Sequence, residues 1–203
     1  MNSNKACRRA AGIGLTVGLA LLGGGCASVL GSKPVPTFDL TAPTDFRAPR
    51  AGRGQLVVAA PTALQVLDTQ QIVVEPAAGQ INYLGGAQWA DSLPALFQAR
   101  LIESFQNGSR GSSVGRASDG IVAEYALLTD IRSFGLQTFQ GNEAVVEVFA
   151  KIVRASDGRI IGSQLFKARA PASGTAGPEV TRALDEAADT VLVELVDWAS
   201  RRF

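Results

Sequence analysis

Few residues in this chain are of types that do covalent or metal chemistry, and their spacing serves little of it. Its 203 residues contain no histidine. Ser-His-Asp catalysis, Cys-His catalysis and any histidine-ligated metal are therefore excluded within the chain itself. Gly111-Ser112-Ser113-Val114-Gly115 matches G-x-S-x-G. A nucleophile elbow, however, needs a buried strand before it, a helix after it and a base elsewhere. The surroundings here read as a polar loop. A Ser113–Lys dyad would have to recruit Lys33, Lys151 or Lys167, and no spacing favours that. Asp119, Asp130 and Asp157 do not form a calcium-loop pattern, and no phosphate-binding glycine motif opens a helix. The reading is a protein that is not an enzyme, with no catalytic residue, no metal and no cofactor. A hydrolase built on Ser113 is the remote alternative.

Cys26 is where modification chemistry is expected. Lys5, Arg8 and Arg9 form a basic start with no acidic residue near them. Ala10 to Gly25 is then small or apolar, apart from Thr16. That is the layout of an export leader. The stretch is shorter than the ~20 residues a membrane-spanning helix needs. Leu22-Gly23-Gly24-Gly25-Cys26 resembles the lipobox of bacterial lipoproteins, whose cysteine takes a diacylglycerol thioether before the new amino terminus is acylated. The usual branched residue three places before the cysteine falls on Gly23, with Leu22 one place further back. Cys7 leaves with the leader. A lipidated Cys26 would have several acyl chains, enough for a firm anchor where one chain alone is marginal.

Three segments follow: a leader over 1–25, a lipidated N-terminus and Pro-rich tether over 26–54, and a domain over 55–203. The tether carries Pro34, Pro36, Pro43 and Pro49, which favours extended backbone. Within it Val35 to Leu40 could pair as an edge strand. Arg47, Arg50 and Arg53 recur every third residue, either against phosphate headgroups or as a solvated loop. After the leader, 16 basic residues face 18 acidic ones, so no electrostatic footprint for nucleic acid exists.

The domain reads as α+β. Short strands are expected at 55–61, 72–76 and 80–84, with a turn at Asp68 and a break at Gly85-Gly86. Asp91 and Ser92 would cap a helix whose Leu93, Phe97, Leu101 and Phe105 form one stripe, with Leu96 beside it and Asn107-Gly108 as its stop. Trp89 would pack over the helix entrance. Residues 108–119 read as a flexible loop. Three longer strands are expected at 121–131, 143–154 and 159–170, the last two joined by a Ser156-Asp157-Gly158 hairpin. A second helix, opened by Gly177-Pro178-Glu179, has Val180, Leu184, Ala188, Val191, Leu195 and Trp198 on one face. The implied architecture is a mixed, mainly antiparallel sheet with two amphipathic helices on one face, in two layers.

Several of these pieces together are familiar. Phe38-Asp39-Leu40, Leu56-Val57-Val58 running into Pro61, Ile72-Val73-Val74, Tyr83 and the segment Gln88-Trp89-Ala90-Asp91-Ser92-Leu93-Pro94 resemble the ABC-type transport auxiliary lipoprotein family over roughly 26–201. The usual Tyr-x-Leu opening is here Phe38-x-Leu40. The resemblance implies a non-catalytic periplasmic lipoprotein anchored in the inner leaflet of the outer membrane. Its partner would be the mammalian-cell-entry (MCE) protein of an ABC-type transporter moving phospholipid or another hydrophobic substrate. Ala27, in place of an aspartate after the cysteine, is in keeping with outer-membrane sorting. Assembly of this chain into a homo-oligomeric ring is a further implication. Tyr83 and Trp89 are the candidate partner contacts, since aromatics are enriched at binding hot spots; core packing is the competing role for both. A stand-alone structural lipoprotein assisting outer-membrane or surface-organelle assembly is the alternative function.

Overall fold

In a computed structural model of the chain, residues 34–49, 54–108, 113–139 and 141–203 are described. Cys26, Lys33, Arg50, Arg53, Gly111 and Ser112 lie outside them. A compact unit runs from Val35 to Phe203. Among the described residues it is α+β, with nine strands in one mixed sheet and two long helices.

The most regular part is a meander of β7 (Tyr125–Gln137), β8 (Glu143–Arg154) and β9 (Ile160–Pro171). Both of its pairings are antiparallel and run nearly the full strand length. The period-two pattern of β8 explains its place at the centre. Ala144, Val146, Val148, Ala150 and Ile152 are all fully buried on one face. The other face alternates Glu147, Phe149 and Lys151, which are half-buried. The β8–β9 turn forms as Ser156-Asp157-Gly158 predicts: Gly158 has φ 69, and Asp157 Oδ1 accepts the Arg159 N–H at 3.1 Å.

The far side of β7 is covered piecewise. β2 (Leu56–Val58), β3 (Thr62–Ala63) and β4 (Gln71–Ala77) lie against successive stretches of it, each in parallel. β4 turns back into β5 (Gln80–Trp89), and β1 (Thr37–Phe38) pairs in parallel with the end of β5. The sheet is thus less uniformly antiparallel than expected. Its long ladders are antiparallel, while five short contacts are parallel, three of them against β7.

Several boundaries differ from the sequence reading; β7 runs from Tyr125 to Gln137 where 121–131 is expected. β5 continues through Gly85-Gly86 to Trp89. Gly86, at φ 72, takes up the irregularity between β4 and β5, a conformation glycine adopts at little steric cost. Residues after 113 also gain structure: β6 (Val114–Arg116) adds in parallel to β2, and a 3-10 turn spans Ala117–Asp119. The polar composition hid a strand of three residues held by tertiary pairing.

Helix α1 (Leu93–Gly108) buries Leu93, Leu96, Phe97, Leu101 and Phe105, the predicted stripe. Its entrance is closed differently from expectation. Asp91 Oδ1 accepts the Ser92 N–H at 2.7 Å, and the first helical N–H, Leu93, donates to the Thr69 carbonyl at 3.1 Å. Helix α2 (Gly177–Ser200) buries its whole predicted stripe. It packs across β8 and β9 and beside α1. Ala144, Ala150, Ala168 and Ala170 from the sheet and Ala183, Ala187 and Ala188 from α2 are all buried; side chains this small let helix and sheet approach closely.

Candidate functional site

The residues singled out by sequence have different fates. Trp89 is 1% exposed. Its ring meets Phe134 edge-on at 5.9 Å, and its backbone N–H donates to the Gln70 carbonyl at 2.8 Å. It is a core residue that locks the end of β5 beneath the α1 entrance, and it offers no surface to a partner in this structure. Tyr83 is 42% exposed. Its phenol lies over the 64–67 turn, with Oη 3.4 Å from the Val66 carbonyl. Ile81, two residues away and so on the same side of the strand, is also exposed, as is Leu64 of that turn. The structure therefore gathers Tyr83, Ile81 and the Leu64–Leu67 turn at the β4–β5 hairpin. Ile81 and Leu64 were missed in the sequence; the alternation Ile81-x-Tyr83 was the available signal.

The second feature is a strap. Residues 35–49 of the segment read as a tether are fastened to the domain at several points. Arg100 bridges Asp39 and Glu103, each at 2.6 Å. Burial alone would weaken proton binding by the Arg100 guanidinium. The Glu103 and Asp39 carboxylates overcome this and hold its pKa above the ordinary value. Thr41 donates its N–H and its hydroxyl to the Asp185 carboxylate at 2.7 and 2.8 Å. Asn107 donates to the Pro43 carbonyl at 3.1 Å, and the Ala48 N–H to Gly108 O at 3.1 Å. Phe46 lies where a Gly108 side chain would be. The chain leading from the N-terminus is thus gripped by both helices before it enters β2.

One turn along α2 from Asp185, Asp189 is half-buried, and its Oδ1 has no hydrogen-bond partner. Its pKa is pushed up to about 6, first by burial and then by the Asp185 carboxylate.

Among the described residues, Ser113 pairs with no lysine. It is exposed at the foot of β6, and its carbonyl accepts the Leu56 N–H. The motif precedes a strand, where an elbow requires a helix. Lys167 is paired with Glu147 at 2.9 Å, and Lys151 sits over the Phe149 ring. Among the described residues, no group of three His, Cys, Asp or Glu side chains could hold a metal ion, and no helix is long and apolar enough to cross a membrane.

Comparison with known proteins identifies the family. Residues 38–196 match the model of the ABC-type transport auxiliary lipoprotein component. The chain belongs to this family. It is 31% identical over 163 residues to an uncharacterized protein of Bradyrhizobium diazoefficiens, covering 80% of this chain and 44% of that protein. The chain therefore spans under half the length of that relative. The crystal structure of a Xanthomonas campestris protein superposes with TM-score 0.73 at 26% identity, covering 81% of this chain and 95% of that one. A second crystal structure, of an uncharacterized protein, has TM-score 0.64 at 14% identity over 79% of this chain and 95% of its own, a likeness of fold alone.

Proposed function

We infer that this family member is a non-catalytic periplasmic lipoprotein of an ABC/MCE-type system that moves phospholipid or another hydrophobic substrate between membranes. Cys26 carries its acyl anchor in the inner leaflet of the outer membrane, and the domain docks the MCE assembly there. The family match over 38–196 supports this reading most directly. The leader pattern ending at Cys26 supplies the route to the envelope. The strap adds a physical reason. An anchored chain gripped by Arg100 and Asp185 from residue 39 onward holds the domain near one leaflet, and such confinement raises its effective concentration for a membrane-linked partner. The exposed Tyr83–Ile81 hairpin is the docking contact in this scheme.

The test is envelope fractionation and affinity purification of the full chain from its native cells, wild type beside Cys26→Ser. The expected result is wild type in the outer-membrane fraction, acylated and copurifying with an MCE-domain protein, and the serine variant unacylated and displaced. Wild type recovered unacylated in the cytosol, or without any MCE protein, would refute the assignment.

A further inference from the structure

The two ends of the sheet differ in charge. At one end three connections lie together: the β4–β5 hairpin, the β7–β8 connection beyond Gln137 and the β9–α2 connection beyond Pro171. Glu75 faces Gln137 and Glu143 faces Pro171. The Thr138 N–H donates to the Glu75 carbonyl at 3.0 Å and the Ala172 N–H to the Asn142 carbonyl at 2.8 Å. No charged residue occurs at 76–90, 137–142 or 170–178. The nearest carboxylates are bonded or half-buried. Glu75 accepts the Gly79 N–H and the Gln137 amide, each at 2.8 Å. Glu143 pairs with Arg169, and Glu179 is half-buried against Gly174. Phe139 is exposed at this end, as are Ala77, Ala78, Thr175 and Ala176. The opposite end, around Val122 and the β8–β9 turn, exposes Arg116, Asp119, Asp157, Arg159 and Arg202.

The N-terminal lead enters nearer the uncharged end. β1 is parallel to β5, so the chain upstream of Thr37 points along β5 toward Gln80. Thr37 faces Gln88, and Gln88 faces Gln71. Gln71 precedes Val73 by two residues, and Val73 faces Gly135, which sets the entry level with residue 133 of β7. At the rise of a strand, that level is about 14 Å from Gln137 and about 27 Å from Tyr125. Cys26 precedes Val35 by nine residues, which span at most about 30 Å fully extended. A chain anchored at Cys26 therefore brings the uncharged end to a membrane with slack, and the charged end only when nearly taut, at a cost in conformational entropy.

We propose that the uncharged end is the surface this domain lays against the headgroups of the membrane that holds Cys26, with Phe139 as its apolar contact. The proposal rests on the anchored reading of Cys26. Charged side chains lose solvation against a low-dielectric bilayer, and these three connections bring none. Aromatic rings are favoured at the membrane–water interface. One phenylalanine and a few small residues would not recruit a free protein. The anchor supplies the affinity and holds the domain at high effective concentration beside the bilayer, so that a weak contact suffices to orient it. The charged end then points away from the membrane.

The test uses the full chain as processed by its native cells, reconstituted into phosphatidylcholine vesicles whose acyl chains carry bromine, a contact quencher of tryptophan. Trp89 and Trp198 are buried and set the wild-type baseline, and Val122 is exposed at the charged end. Phe139→Trp is expected to be quenched about twofold more than Val122→Trp, since an aromatic ring at headgroup level lies close to the brominated chains. Thr175→Trp, in the β9–α2 connection, repeats the reading if Phe139→Trp melts below wild type. Intact mass establishes acylation. An acylated chain quenched equally at both ends, or more at 122, overturns the proposal and leaves the anchor standing. An unacylated chain overturns both.

Discussion

Replacing Asp189 by asparagine tests whether burial on α2 penalises a charge. Asp189 has an ordinary pKa of 3.8 when free and about 6 in the folded chain. Between those values the folded state binds more protons than the unfolded state. This group's contribution to stability is therefore greatest below pH 3.8 and is lost as the pH rises through 6. The full difference corresponds to about 3 kcal/mol of penalty on the ionised form. The site is only half-buried, and water screens part of it, so about 1–1.5 kcal/mol is the better figure. Asp189→Asn should then unfold at higher urea than wild type at pH 7.5, by that amount. At pH 3.5 the two curves should lie close together, because the wild-type carboxyl is mostly protonated in both states. Taking the variant-minus-wild-type difference cancels the distant carboxylates that titrate in this range, leaving Asp189 and its coupled neighbour Asp185. The reasoning is refuted by a difference constant from pH 3.5 to 7.5, or by a wild type more stable than the variant at pH 7.5.

Two further substitutions probe the frame around the strap and the sheet. Asp185→Asn removes the carboxylate that accepts both Thr41 donors; hydrogen exchange at the Thr41 amide should accelerate, with about 1 kcal/mol of global stability lost at this exposed pair. Gly135→Ala places a methyl 2.7 Å from the Val73 carbonyl, backbone that cannot swing aside, and overpacking of this kind should cost about 1–3 kcal/mol in urea unfolding.

Side-chain periodicity made the largest elements legible. Glu143–Arg154 coincides with β8 because one face had to be dry along its entire length. The α1 and α2 stripes were legible for the same reason: residues three and four apart must share the buried side of a helix. The Gly158 turn followed from the local demand for positive φ. The absence of histidine, and with it a whole range of chemistry, needed no structure at all.

Tertiary contact decided the rest. β6 exists because β2 offers Val114–Arg116 a parallel edge, a partner that polar composition cannot reveal. Gly85-Gly86 reads locally as a stop, yet β4 and β1 hold β5 together beyond it. Trp89 and Tyr83 were both candidate contacts in the sequence, with core packing as the competing role for each. The fold separated them: Phe134 and the α1 entrance enclose one, while the hairpin holds the other beyond the core. Local pattern reports which face of an element is apolar. Only the packed chain determines which apolar residues remain uncovered, because burial depends on neighbours brought from distant positions.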